Sequence, residues 1–199
     1  MKYYDEGSDE ISPAAHAPLN IGKTRSKPVY WGKRICIVCV LLLSLFHAWA
    51  QNAYAIHANI IYRFTKYINW PDDKKTGDFV IGVVGDTPLY EELKEFTSNK
   101  TAAGQRIVVK KFSASATSFN CHILFISDEE SESIKRIAAY TAGTPTLLVS
   151  ESEGVTRKGS CINFVLVDDH LKLEISKANI EKRKLDIATE LLSLGIIVK

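Results

Sequence analysis

Three stretches of the sequence bring reactive residue types together. Asp168, Asp169 and His170 stand side by side within "GSCINFVLVDDHLKLEIS", residues 159–176. Two carboxylates and an imidazole are the donors of a metal site or of an acid–base pair. Cys121 and His122 are adjacent, as a thiolate nucleophile and its base would be. "GVVGDTP", residues 82–88, sits where a strand gives way to a helix, a common place for phosphates.

Adjacency alone does not make any of these a site. A metal would need further ligands, and no spaced His/Cys set supplies them. Aspartates favour turns because their side chains bond nearby backbone, so Asp168–His170 read as a turn tip. Cys121 and His122 begin a strand pattern, where successive side chains point to opposite faces. They read as a core residue beside a surface or edge residue. "GVVGDTP" lacks the third glycine of the dinucleotide fingerprint and the lysine of a P-loop. A tight strand-to-helix turn is the better reading, with a weak anion site at Thr87 as the alternative. No Gly-x-Ser-x-Gly elbow is present. No paired carboxylates stand out beyond surface runs such as Glu129–Glu132. The residues give no positive sign of catalysis and imply no cofactor.

The elements that position these residues follow from periodicity. Ile56, Ile60, Ile61, Phe64, Tyr67 and Ile68 recur at helical spacing, and Pro71 stops that helix. His57 reads as a partly exposed helix residue. "DFVIGVVGD" (78–86), "QRIVVKKF" (105–112), "CHILFIS" (121–127) and "TPTLLVS" (144–150) read as strands. Thr87 and Pro88 open a helix to about Ser98. Ser127 and Glu130 form a capping-box pattern opening another to about Tyr140. Ile162–Val167 and Leu171–Ile175 are joined too closely for anything but an antiparallel hairpin. Ser176 caps a short helix and Asp186 a last apolar one. The expected fold is a single α/β domain, a mostly parallel sheet flanked by helices with a C-terminal antiparallel hairpin.

The 199-residue chain has a formal net charge of +2. Residues 1–50 carry six basic and four acidic residues, so residues 51–199 are neutral overall. A neutral body has no broad pull on nucleic acid. Lys33 and Arg34 precede the apolar run "ICIVCVLLLSLFHAWA" (35–50). That run is short of the roughly 20 residues a spanning helix needs. It ends in Ala48-Trp49-Ala50, a signal-peptidase pattern, so cleavage is expected between Ala50 and Gln51. The competing reading is an uncleaved membrane anchor. Residues 1–30 do not fit an ordinary leader, and a translation start near Val29 would leave "VYWGKR" as a short basic n-region. The expected domain is residues 51–199, and its two cysteines, Cys121 and Cys161, either form one disulfide or remain free and buried.

The order of several stretches resembles the YfiR/HmsC family of exported bacterial proteins. They are "IIYRFTKYINWP" (60–71), "FVIGVVGDTPLYEEL" (79–93), "GQRIVVKKF" (104–112), "NCHILFISDEE" (120–130), "GTPTLLVSESEG" (143–154), "GSCINFVLVDDHLKLEIS" (159–176) and "LLSLGIIV" (191–198). The resemblance implies a periplasmic regulator, not an enzyme. It implies repression of a membrane-bound diguanylate cyclase through its periplasmic part, restraining cyclic-di-GMP output and biofilm formation. An outer-membrane lipoprotein that sequesters the regulator, a homodimer and disulfide-sensitive behaviour are implied as well. The partner transfers least well, since relatives serve sensor kinases or other receptors. A small-ligand-binding sensory module is the alternative function. The chain departs from the family in keeping only two cysteines after the leader. It also has Asp168-Asp169 where an Asp-Gly-like hairpin tip is common. Tyr67, Trp70 and Phe164 are the candidate partner contacts, and ordinary core packing is the other reading of all three.

Overall fold

A computed structural model describes residues 53–198. The apolar run, the Ala50–Gln51 junction and the start near Val29 lie outside the described residues. Among those described, no helix is long and apolar enough to cross a membrane.

The first helix, α1, covers 53–67. Ala58, Ile61 and Phe64 are fully buried along one stripe, as the helical spacing requires. It ends earlier than Pro71 because Ile68–Asn69 forms a strand, β1. There follow β2 (Phe79–Val84), α2 (Leu89–Thr97), β3 (Thr101–Ala102), β4 (Gln105–Phe112), β5 (Ile123–Ile126), α3 (Ile134–Tyr140) and β6 (Leu147–Ser150). The chain closes with β7 (Ile162–Val167), β8 (His170–Ile175), α4 (Lys177–Glu181), β9 (Asp186–Ile187), α5 (Thr189–Ser193) and β10 (Ile196–Ile197).

Eight strands form one sheet in the order β10-β8-β7-β6-β5-β2-β4-β3, and β1 pairs with β9 in a small antiparallel sheet. The run β4-β2-β5-β6-β7 is parallel throughout. This is a doubly wound order that reverses direction between β2 and β5. Right-handed crossovers then place α2 on one face and α3 on the other, because the two connections step in opposite directions. Tyr62 packs on Phe96 at 5.8 Å, which puts α1 on the face of α2. All four residues of β5 and all four of β6 are buried, the pattern of strands covered on both sides.

Several local expectations are corrected. The Ser127–Glu130 capping box does not form. Asp128–Ser133 is a 3-10 turn, and Ser127 makes no side-chain cap. Its hydroxyl instead occupies the space beside Gly85, which has φ +97 and could carry no Cβ without striking that oxygen. Asp186 belongs to β9 and caps nothing; Ala188 precedes α5. Ser176 does cap α4, accepting from the Asn179 amide at 3.4 Å.

The hairpin is tighter than expected. Val167 pairs with His170, leaving only Asp168 and Asp169 as the turn. Both have positive φ, 51° and 58°, the signature of the type I′ turn that matches strand twist. Aspartate tolerates this region less well than glycine. Asp169→Gly should therefore raise stability by about 0.5–1 kcal/mol. A urea titration reads the effect; an unchanged or lower midpoint would mean that the aspartate side chain contributes bonds that offset its strain.

Candidate functional site

Neither reactive cluster of the sequence forms a site. The ring nitrogen Nδ1 of His170 lies 2.5 Å from the Asp168 carbonyl, which folds the turn tip on itself. No group of three His, Cys, Asp or Glu that could hold a metal ion is present among the described residues. Cys121 and His122 are both buried, so the expectation of an exposed or edge partner is corrected. His122 Nδ1 accepts from the Val80 amide at 3.0 Å. Its Nε2–H therefore donates to the Lys74 carbonyl at 2.9 Å. The ring stacks on Phe79 at 4.3 Å. It is a neutral bolt between β2, β5 and the turn at Asp72–Lys74, and burial holds its basicity below the ordinary value. Burial also pushes the Cys121 thiol up to about 12, leaving it without thiolate character.

The Cys121–Cys161 disulfide is not formed; both thiols are free and buried. The strand order supplies the reason. Cys121 leads into β5 and Cys161 into β7, with β6 between them. Two strand spacings amount to about 9.5 Å, beyond the roughly 7 Å that a disulfide spans between Cα atoms.

The three candidate contacts are not one surface. Trp70 is buried, donating its indole N–H to the His122 carbonyl at 3.3 Å and meeting Phe79 edge-on at 5.0 Å. Phe164 is buried between His57, at 4.2 Å, and Phe64, at 6.4 Å. Core packing describes both. Tyr67 is half-buried and lines three grooves, one of about 310 Å³ beside Tyr62 and Phe96 and two larger ones. One, of about 410 Å³, runs past Trp70, Gln105 and Asp186. The other, of about 360 Å³, is walled by Ile56, Ile60, Leu171, Leu191 and Leu194. Ile56, Leu166 and Leu194 are strongly exposed, and Leu171, which pairs across the hairpin with Leu166, also lines the second groove. Exposed apolar side chains thus gather where α1, α5 and the hairpin meet.

A larger crevice, about 680 Å³, opens at the carboxyl ends of β5 and β6. Asp128 follows β5, and Glu151 and Glu153 follow β6. Ligand sites of open α/β sheets favour this edge. From α1 come Tyr54 and His57, and from the hairpin Phe164, Leu166 and Glu174. Glu151 Oε1 accepts from the Tyr54 hydroxyl and the Asp128 amide, each at 3.4 Å. Its Oε2 lies 3.7 Å from His57 Nδ1. His57 is only 8% exposed, correcting the expectation of a partly exposed residue. Phe164 and Tyr54 cover it. Burial pushes the imidazole down to about 4 and pushes the Glu151 carboxyl above its ordinary value. At neutral pH the ring is therefore neutral, and the close approach is not an ion pair. The sequence offered one sign of this site, the acidic "SESEG" (150–154) just past a buried strand.

A family model described as YfiR/HmsC-like matches residues 54–196. No curated protein matches the chain.

Two outcomes follow from these burials. Peptide mapping after alkylation should find Cys121 and Cys161 unmodified in the native protein and both modified after unfolding in urea without reductant. Protection that persists in urea would show a bond. For His57, the imidazole resonance should titrate near pH 4. Between the ordinary value of 6.5 and about 4, the unfolded chain binds a proton that the folded chain refuses. Stability therefore falls as pH drops through that window, by about 2–3 kcal/mol at its lower end. Glu151 acts oppositely, since a raised carboxyl protonates first in the folded state and regains stability as pH falls through it. His57→Gln removes the first effect alone; a wild-type midpoint near 6.5 would show a solvated ring.

Proposed function

The chain belongs to the YfiR/HmsC-like family, and on that footing we propose that it is a periplasmic regulator that represses the extracytoplasmic part of a membrane receptor. The receptor in this reading is a diguanylate cyclase, so that the regulator restrains cyclic-di-GMP output and biofilm formation. A sensor kinase is the alternative receptor. The family match over residues 54–196 carries the reading. The apolar run at 35–50 supports export. The family is a regulatory and non-catalytic one.

Repression works by differential affinity. A regulator that binds the inactive receptor about 100-fold more tightly than the active one turns an even mixture into 99:1. Contact area for such binding lies on the apolar strip of Ile56, Leu166, Leu171 and Leu194. Leu166 is 75% and Leu194 70% exposed. Covering each gains about 1–2 kcal/mol. Tyr67 borders this strip, whereas Trp70 and Phe164 act from beneath by fixing α1 and the hairpin. A homodimer and an outer-membrane lipoprotein that sequesters the regulator complete the set of partners in this proposal.

Affinity capture from solubilised membranes tests it. The tagged protein should retain an integral membrane protein carrying a cyclase or kinase module. Leu166→Asp with Leu194→Asp should cut that capture by about tenfold or more, the loss of roughly 1.4 kcal/mol or more, without shifting the melting midpoint. Recovery of no membrane signalling protein would remove the proposal, and full capture by the double variant would remove the surface.

A further inference from the structure

The crevice at the carboxyl ends of β5 and β6 has a composition that the regulator role leaves unused. Four carboxylates line it, those of Asp128, Glu151, Glu153 and Glu174, and no lysine or arginine does. This stands out in a chain whose residues 51–199 balance basic against acidic side chains. None of the four meets a lysine or arginine within ion-pair distance among the described residues. Glu151 is half-buried, with its side chain 11% exposed. Its acceptor contacts, from the Tyr54 hydroxyl and the Asp128 amide, are long at 3.4 Å. A partly desolvated carboxylate is stabilised when a cation or strong donor meets it.

A second observation comes from the opposite wall. His57 is more than nine-tenths buried, and its Nδ1 has no hydrogen-bond partner. That nitrogen faces Glu151 Oε2 at 3.7 Å across the inner end of the crevice. In the tautomer that carries its proton on Nε2, His57 Nδ1 is an acceptor beside the Glu151 carboxylate, and a single ammonium can then donate to both. The rings of Phe164 and Tyr54 stand beside them, with centroids 4.2 and 5.4 Å from that of His57. Aromatic faces attract cations and cover apolar carbon. The volume, about 680 Å³, suits a small organic molecule.

We propose that this crevice binds a small organic ammonium ion, with its charged nitrogen at Glu151 and His57 and its apolar part against Phe164 and Tyr54. The lining argues against the other ligand classes. An anion would meet four carboxylates and no basic residue. A metal ion would need three converging ligands, and no such group is present among the described residues. Glu174 is held by Asn163 at 3.1 Å, so it adds charge at a fixed place without folding into the crevice. The ligand lies under the hairpin whose tip carries exposed Leu166, so occupancy and partner binding meet on the same element.

Chemical-shift titration of the purified protein with phenethylamine and putrescine tests this, with phenylacetate as the anionic control. Both amines should shift the His57 and Phe164 resonances saturably, and phenylacetate should not. Glu151→Gln should weaken amine binding by about tenfold or more, as expected for a lost charge-assisted contact. Asp128→Asn and Glu153→Gln should each weaken it less, and they carry the test if Glu151→Gln fails to fold. The proposal is overturned by equal binding of phenylacetate, by wild-type amine affinity in all three variants, by the absence of saturation, or by a response to calcium or magnesium alone. The outcome does not depend on the membrane receptor, so membrane capture can succeed or fail separately.

Discussion

Asn163 holds the hairpin to the parallel sheet, and the arrangement of the crevice depends on that attachment. The ladder between β6 and β7 is short, pairing Val149 with Ile162 and Ser150 with Asn163. Two rungs would leave a six-residue strand free to splay. The side chain of Asn163 extends the grip. Its Oδ1 accepts from the Ser150 hydroxyl at 2.8 Å, and its Nδ2 donates to the Ser152 carbonyl at 2.8 Å and to Glu174 at 3.1 Å. Ser160 joins through Ser150 at 2.7 Å, and Asn179 of α4 donates to the Ser160 carbonyl at 2.8 Å. Asn163, Ser150 and Ser160 are completely buried. Polar groups at such depth are tolerable only when bonded, and here the bonds also choose one register for the hairpin. Phe164, the next residue, is thereby aimed at the opposite face, where it covers His57 and meets Phe64.

The two buried histidines show how differently a neutral imidazole can be enforced. His122 has both nitrogens committed, one accepting from Val80 and one donating to Lys74. A second proton would set one N–H against another. His57 has no such lock. It stays neutral because water is excluded by the aromatic rings around it. The first histidine is therefore a structural part whose state cannot change without breaking a joint. The second retains a nitrogen, Nδ1, without a hydrogen-bond partner, 3.7 Å from the Glu151 carboxyl. Of the two, only His57 has capacity left for a ligand.

The sequence makes the scaffold legible and the site mostly not, for a physical reason. β2, β4, β5 and β6 are runs of β-branched and apolar residues between turn signals, so their existence and parallel pairing follow from local pattern. The hairpin and the Ser176 cap are equally local. β1, β3, β9 and β10 have two residues each, too few to carry a period, and exist because a distant partner pairs with them. Ser127 matched a capping box, but tertiary packing against Gly85 took its hydroxyl. The cysteine pairing could not be decided from residue type because it turns on strand order, which puts β6 between the two. His57 looked half-exposed on a helical wheel because the residue that buries it, Phe164, comes from the far end of the chain.

The stretches that carry the family resemblance are therefore mainly stretches that build the scaffold. "IIYRFTKYINWP" supplies Ile61, Phe64 and Trp70 to the core. "NCHILFIS" supplies the His122 bolt and β5, and "GSCINF" supplies the Ser160–Asn163 network. Substitution at any of them strands a buried polar group or opens a void, so the fold itself restricts them. The residues free to vary without that cost lie past the strand ends and at the hairpin tip: Glu153, Asp168, Asp169 and the exposed Leu166. Two proteins can share the first set and differ in what they bind, because recognition is written in the second. In this chain the second set is acidic beside the crevice and apolar at its rim. The two characters meet in one place, because Ile56, Leu166 and Leu171 line the crevice together with its four carboxylates.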